Sequence, residues 1–403
     1  MKVVLINSVC GIRSTGKICS ETAQMLIDRG DECLVFFGRE QMGAGCEKFA
    51  RKIGNRLTNV LHYFTRILFD DDGKGSFFPT LRLIRQIKKF NPDIIHILNL
   101  HGHYVNYRLL MNYLAKSKKP VMFSFFDTWM FTGNCTHFDY IGCEKWQTLC
   151  ENCPHQSKYP CDKYWLDNAT RNYKFKKKCM EKIENKCITP GSFWMESLVR
   201  KSFLGNCDIR AVQSGIDLKK FKISESDIRE NYGINDKFII LCVASTWTKV
   251  KGLEYLNKLA DKLPRDCKVA VIGKIKDERY QLSDNIIHIE RTNDVAELSK
   301  WYSAADVYVN LTLQETLGLT NIEALACGIP VVTFNSGGCP ECVDENCGIA
   351  IPRGDIDGII QAIQKIKKDR PFSAESCVKK SLEFDKNLCY EKYIKIYEEL
   401  IKK

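Results

Sequence analysis

The sequence predicts an α/β protein of two doubly wound, parallel-sheet domains. Three observations lead there. Short unbroken apolar runs, the kind buried on both faces of a sheet, alternate with stretches of helical periodicity. That series occurs twice along the chain. And 403 residues are too many for one hydrophobic core and comfortable for two.

The first series opens with a strand at Lys2–Asn7, a loop at Gly11–Gly16 and a helix near Lys17–Arg29, whose apolar positions are Ile18, Ala23, Met25, Leu26 and Ile27. Further strands are expected at Cys33–Phe37, Ile94–Leu98, Val121–Phe125 and Cys187–Thr189. The second series places strands at Phe238–Val243, Lys268–Ile272, Ile286–Ile289, Val307–Asn310 and Val331–Phe334. Helices such as Gly252–Leu263 and Val295–Ser303 fall between them. The boundary lies between Pro190 and Lys220. The expected domains are 1–195, which carries a Cys-rich loop at 135–161, and 196–385, with a closing helix at 386–403 that packs back on the first. Two such sheets are expected to leave a cleft outside the carboxyl ends of their strands, where open α/β sheets bind ligands.

Hydrophobic residues make up 44% and charged residues 27%, the balance of a soluble globular protein. The start, MKVVLINSV, has flanks too polar for a signal peptide, and no apolar run reaches the ~18 residues of a membrane span. The expected location is therefore the cytoplasm. A net charge of +11 and clusters such as Lys174 with Lys176, Lys177 and Lys178 suit anionic lipids or substrates, or are solvated helix faces. The amphipathic stretch Val60–Leu68 fits either loose contact with the inner face of the cell membrane or a surface helix. No nucleic-acid motif is present.

The most informative stretch is Val309–Phe334. Glu315 and Glu323 stand eight residues apart and bracket the turn Leu317-Gly318-Leu319-Thr320. Thr320-Asn321-Ile322-Glu323 fits the capping box that starts a helix, and Gly328 and Pro330 end it. The loop before the cap then aims backbone N–H groups and a positive dipole end outward, an anion site suited to a diphosphate. Gly318 lets a ligand approach the backbone closely. Glu323 could serve only to cap its helix, and Glu315 could be an exposed loop acid. A sugar nucleotide would use both, its diphosphate on the turn and its hydroxyls on the carboxylates.

These residues resemble the E-x7-E pattern of retaining glycosyltransferases of the GT-B fold, family 4 type. Trp301–Val307, Gly328–Val332 and Ser336–Glu341 look like that family's neighbouring strands and loop. Val243–Leu253 resembles its diphosphate-binding segment, and Ser214-Gly215-Ile216-Asp217 its linker. The resemblance implies two Rossmann-like domains and a nucleotide diphosphate sugar donor. It implies a saccharide or lipid-linked acceptor and a place in polysaccharide or capsule biosynthesis. It gives Glu315 the transferred sugar, Glu323 the ribose hydroxyls, and Lys251 and the backbone of Gly318, Leu319 and Thr320 the phosphates. Lys249 would supply a second positive charge. No cofactor is expected for catalysis, since these groups meet the charge on the leaving diphosphate. The chain departs from the family at Ser245-Thr246-Trp247, where an arginine is usual. It departs again at Phe126, just before Asp127, where a histidine is usual. The departures keep a second reading open, a non-catalytic relative that binds sugar nucleotides. A third is a GT-B enzyme that epimerises or phosphorolyses sugars.

Gly11–Ile18 nearly spells a phosphate-binding G-x4-G-K-[ST] loop, but Ile18 replaces the hydroxyl that would bind Mg²⁺ and no matching acid follows. It reads instead as a glycine-turned loop with Gly16 near donor phosphate or acceptor, or as an ordinary turn. His96, His101 and His103 cluster at a strand end; the resemblance favours His101 with Asn99, and Asp127, on the acceptor side. Most of the twenty cysteines read as reduced thiols. Cys135, Cys143, Cys150 and Cys153 have the spacing C-x7-C-x6-C-x2-C. This fits a structural zinc clip, independent thiols or a disulfide.

Overall fold

The computed structural model describes residues 1–70, 73–154, 167–277 and 279–403; the end of the expected Cys-rich loop, 155–161, lies outside the described residues. The chain forms two compact units, Met1–Val212 with Tyr390–Lys403, and Gln213–Cys389.

The sheet of the first unit contains β1 (Lys2–Asn7), β2 (Glu32–Phe37), β3 (Ala50–Lys52), β4 (Ile94–Ile97), β5 (Val121–Phe125), β6 (Lys186–Pro190) and β7 (Asp208–Ile209). All run parallel in the order β3-β2-β1-β4-β5-β6-β7. The order reverses between β1 and β4, so the loops after these two strands flank the switch point. The expected boundary at 195/196 falls inside the helix Phe193–Lys201. The unit continues to Val212 because β7 pairs with β6.

His96 is a core residue of β4. Its Nδ1 lies 2.6 Å from the Tyr397 hydroxyl on the closing helix Lys386–Lys402, and its Nε2 lies 2.7 Å from Ser124 Oγ. Ser124 Oγ in turn lies 2.7 Å from Thr189 Oγ1, so one polar chain crosses β4, β5 and β6. Burial lowers the His96 pKa from 6.5 to about 3. The sign follows directly: above pH 6.5 both folded and unfolded chains hold the imidazole neutral. Below it, only the unfolded chain takes the proton, so stability is lost as pH falls towards the folded value. The wild type's advantage over His96→Gln is expected to shrink by about 1.4 kcal/mol per pH unit below 6.5. Urea unfolding midpoints measured from pH 7 to pH 5 check this.

The second unit's sheet contains β8 (Phe238–Trp247), β9 (Cys267–Ile275), β10 (Ile286–Ile289), β11 (Val307–Asn310), β12 (Val331–Phe334) and β13 (Gly348–Ile351), parallel in the order β10-β9-β8-β11-β12-β13. Side chains alternate between faces. Phe238, Ile240 and Cys242 pack with Ile359 and Ile363 of the helix Ile356–Asp369. Ile239 and Leu241 pack with Ile322 and Leu325 of the helix Leu319–Ala326. Burial on both faces is why these strands read as continuous apolar runs. The order reverses between β8 and β11, which sets the switch point of this unit at their carboxyl ends. Ser214–Asp217 runs beside the segment that leads into the closing helix: Ile216 N–H donates to Phe384 O at 2.9 Å, Lys386 N–H donates to Ile216 O at 3.0 Å, and Lys386 Nζ reaches Asp217 at 2.9 Å.

Candidate functional site

The loops leaving β8 and β11 meet at the switch point of the second unit. β8 ends on Trp247, which is buried and donates its indole N–H to Ile272 O at 3.0 Å. A turn follows, closed by Lys251 N–H to Thr248 O at 3.0 Å. Gly252 then lets the chain pass the loop after β11, since a Cβ there would lie 2.3 Å from Leu311 O. The turn delivers the Lys251 ammonium to the Glu315 carboxylate, to which it donates a hydrogen bond. Burial works against the charge on Lys251, but Glu315 outweighs it and the pKa is raised, so the lysine is cationic at neutral pH. The two side chains are 37% and 30% exposed, open enough for a ligand to reach.

The backbone of Glu315 is held from behind by the loop after β12. Gly338 N–H donates to Glu315 O at 3.2 Å. Gly337 sits at φ +57, and a Cβ there would lie 1.8 Å from Glu315 O. A Cβ on Gly338 would lie 2.1 Å from Thr316 O. The pair of glycines is what allows this loop to lie against the Glu315 backbone.

The expected capping box does not form. The helix Leu319–Ala326 is capped by Gly318 at φ +90, with no side-chain cap, and Thr320 is already helical. Glu323 accepts a hydrogen bond from the Tyr302 hydroxyl at 3.0 Å. That tyrosine engages the carboxylate that the local pattern would have turned back to the backbone at the helix start. Asn321 is buried and fixes the helix start: its Oδ1 accepts from Asn310 Nδ2 at 2.8 Å, at the end of β11. Asn310 Oδ1 accepts from Thr312 N–H at 3.1 Å. The helix therefore begins at a residue without a side chain, next to the loop that holds Glu315. No side chain caps the first turn; Asn321 N–H donates to Gly318 O at 2.9 Å, and a lysine stands in the same switch point, the surroundings that suit an anion. A Cβ on Gly318 would come within 3.2 Å of Asn321 Nδ2 and Cys339 Sγ.

Other expected residues lie elsewhere. Lys249 is 71% exposed and faces Glu254 at 3.6 Å, apart from the Lys251–Glu315 pair. Gly16 is not on a loop: the helix Arg13–Asp28 starts earlier than expected, and Gly16 is buried in it, where a Cβ would lie 2.9 Å from Val9 Cγ2. Residues 13–16 are thus helical and do not form the phosphate-binding loop their spelling resembled. In the first unit, Asn99, His101 and Asp127 do come together at the loops after β4 and β5. His101 Nε2 lies 2.8 Å from Asp127 Oδ2, and Asn99 Nδ2 lies 2.7 Å from His101 Nε2 and 3.3 Å from Asp127 Oδ2. Burial would lift the Asp127 pKa, but His101 and the Trp129 N–H outweigh it and hold the carboxyl below its ordinary range. The Phe126 ring lies against Gly191, where a Cβ would come within 2.9 Å.

Cys143, Cys150 and Cys153 line one cavity with Trp146, and Cys135 is buried at the same place. Among the described residues no group of three or more His, Cys, Asp or Glu is arranged to hold a metal ion. A buried lysine orders the loop. The buried Lys176 ammonium donates to the carbonyls of Trp129, Thr132 and Gly133 at 2.6, 3.2 and 3.0 Å. Burial pushes the Cys150 thiol up to about 11.

Residues 224–384 match the family described as glycosyl transferases group 1. The putative colanic acid biosynthesis glycosyl transferase WcaC of Escherichia coli is 24% identical over 363 residues, 86% of this chain and 85% of its own length. The capsular polysaccharide biosynthesis glycosyltransferase CapM of Staphylococcus aureus is 28% identical over 210 residues, 47% of this chain and 55% of its own. Beyond WcaC, such relatives are matched over about half of their length or less. Among solved structures, sucrose-phosphate synthase from Thermosynechococcus elongatus aligns with a TM-score of 0.69 at 16% identity, over 100% of this chain and 99% of its own. Anabaena HepE in complex with UDP-glucose aligns at 0.67 and 14%, over 99% and 100%. Likenesses this remote speak to the fold, and the fold is GT-B: two Rossmann-like, parallel-sheet units.

Proposed function

We propose that the protein is a retaining glycosyltransferase that moves a sugar from a nucleotide diphosphate sugar to a hydroxyl of a saccharide or lipid-linked acceptor, in the making of a cell-surface glycan. One observation carries the reading: the Lys251–Glu315 pair stands at a sheet switch point together with the bare, glycine-capped start of the helix Leu319–Ala326. The donor diphosphate takes the helix start and the lysine. Glu315 accepts from hydroxyls of the transferred sugar. Glu323, oriented by Tyr302, accepts from the ribose hydroxyls.

As the bond from the anomeric carbon to the phosphate oxygen breaks, its electron pair leaves with the diphosphate. Lys251 and the first-turn N–H groups stabilise that growing charge. The acceptor oxygen bonds to the anomeric carbon on the face just vacated, and its proton passes to the departing phosphate. The E-x7-E resemblance supports retention, and the names of WcaC and CapM support a surface glycan. Asn99, His101 and Asp127 are assigned to the acceptor side. The stretch Ser245-Thr246-Trp247, which lacks the family's usual arginine, and the packed Phe126, where a histidine is usual, favour the second reading of a non-catalytic binder.

A thermal-shift panel of nucleotide diphosphate sugars selects the donor, since a ligand at a hundred times its dissociation constant stabilises by about 2.7 kcal/mol. Release of nucleoside diphosphate in the presence of an acceptor extract, with an unchanged anomeric configuration in the product, is the expected result. Binding without release would support the non-catalytic reading.

A further inference from the structure

The helix Arg56–Phe69 is packed inside out. It is well formed: Asn55 and Thr58 make a reciprocal cap at 3.0 Å each way. Its buried residues are His62 and Arg66. His62 Nδ1 lies 3.0 Å from Ser76 Oγ, and Arg66 Nη1 lies 3.4 Å from His103 Nε2. The apolar residues form a stripe on the opposite face. Leu57, Leu61, Phe64 and Leu68 recur at helical spacing and are 66%, 57%, 54% and 57% exposed. A helix on a soluble surface normally turns these faces the other way. Single exposed leucines need no account, but a contiguous stripe does.

The apolar face continues onto the next element. Phe77 and Phe78 open the helix Phe77–Phe90, and Phe78 is 79% exposed. Phe78 lines one hollow with Asn55, Thr58 and Arg82, which ties it to the start of the inverted helix.

The rim is basic. A hollow of about 500 Å³ beside Val60 and Tyr63 is lined by Arg39, Lys52 and Arg56. Its one acid, Glu40, is paired with Arg13 at 2.8 Å. From residue 51 to 90, Lys and Arg outnumber Asp and Glu nine to three, and Asp70 among the three is buried.

We propose that this face docks on an anionic lipid bilayer. The leucine–phenylalanine stripe enters the acyl boundary, and Arg39, Lys52 and Arg56 meet the lipid phosphates. A second copy of the chain fits less well, because a two-fold contact would set this basic rim against itself. The proposal uses none of the donor-site residues and stands without the reading above.

The test is sedimentation of the full chain with vesicles of phosphatidylcholine, alone or mixed with phosphatidylglycerol. Strong binding to the mixed vesicles, weaker binding to the neutral ones and release by salt are expected. Leu61→Ser/Phe64→Ser should lower partitioning by about a hundredfold, since burying each such side chain is worth about tenfold or more. It should keep the wild-type melting temperature, because both side chains are exposed. Leu388→Ser, an exposed leucine of the second unit, should bind as wild type. Absence of wild-type binding to mixed vesicles overturns the proposal, and so does undiminished binding by the double variant. A concentration-dependent dimer that the double variant loses, with no recruitment to vesicles, would assign the face to self-association instead.

Discussion

Glu315→Gln is expected to lower kcat by about 10²- to 10³-fold while leaving nucleoside diphosphate affinity nearly unchanged. The amide keeps the size of the side chain and removes its charge, so the loss falls on the sugar being transferred and not on the phosphates. The substitution also takes the carboxylate from Lys251. That pair is about one-third exposed on each side, and a pair so exposed contributes under about 1 kcal/mol to stability. The fold should therefore survive, and a melting curve separates lost chemistry from lost structure. Unaltered turnover by this variant would remove Glu315 from the reaction.

Gly337→Ala should give the largest structural effect. Two terms act on it. An alanine at φ +57 costs about 1 kcal/mol for conformation alone. The new Cβ would also stand 1.8 Å from the Glu315 carbonyl oxygen. No rotamer moves a Cβ, so one backbone must give way. The total is expected to be at least about 3 kcal/mol, with donor binding lost alongside because the displaced backbone is that of Glu315. Gly233→Ala is the matched comparison in the same unit. It sits at φ +63 with no atom within 4 Å of a new Cβ, so it should show the conformational cost alone. Chemical unfolding of both variants, read with donor binding, tests the difference.

Much of this fold was legible because its central strands are buried on both faces, and a continuous apolar run is the direct imprint of that burial. Strands β1, β5, β10, β11 and β12 have the expected bounds. The strands not anticipated, β3, β7 and β13, all lie at sheet edges. Two of these are only two or three residues long, and an edge strand pairs on one side only, so it carries a weaker hydrophobic signature.

The candidate donor site was legible in part for a similar reason. Glu315, Gly318 and Lys251 lie close to strand ends, and strand ends could be placed. What escaped was decided by residues distant in sequence. Thr320 and Glu323 satisfy a local capping rule, but Tyr302, 21 residues before Glu323, engages the glutamate. Lys249 and Lys251 differ in no property of type; the turn after Thr248 alone decides which of them meets Glu315. Asn310 and Asn321 gave no signal, because a buried amide pair joining a strand end to a helix start has no fixed spacing. The loop of the four clustered cysteines is held by the Lys176 ammonium on backbone carbonyls, a role that a lysine-rich helix does not advertise.

The central claim is that Lys251 and the start of the helix Leu319–Ala326 hold a diphosphate. Calorimetric titration of the wild type and Lys251→Met with the nucleoside diphosphate of the selected donor tests it most directly, against the matching nucleoside. Loss of a charge-assisted contact worth about 1.5–3 kcal/mol predicts that the variant binds the diphosphate about ten- to a hundredfold more weakly, with the nucleoside unaffected. Equal diphosphate affinity in the two proteins would contradict the assignment.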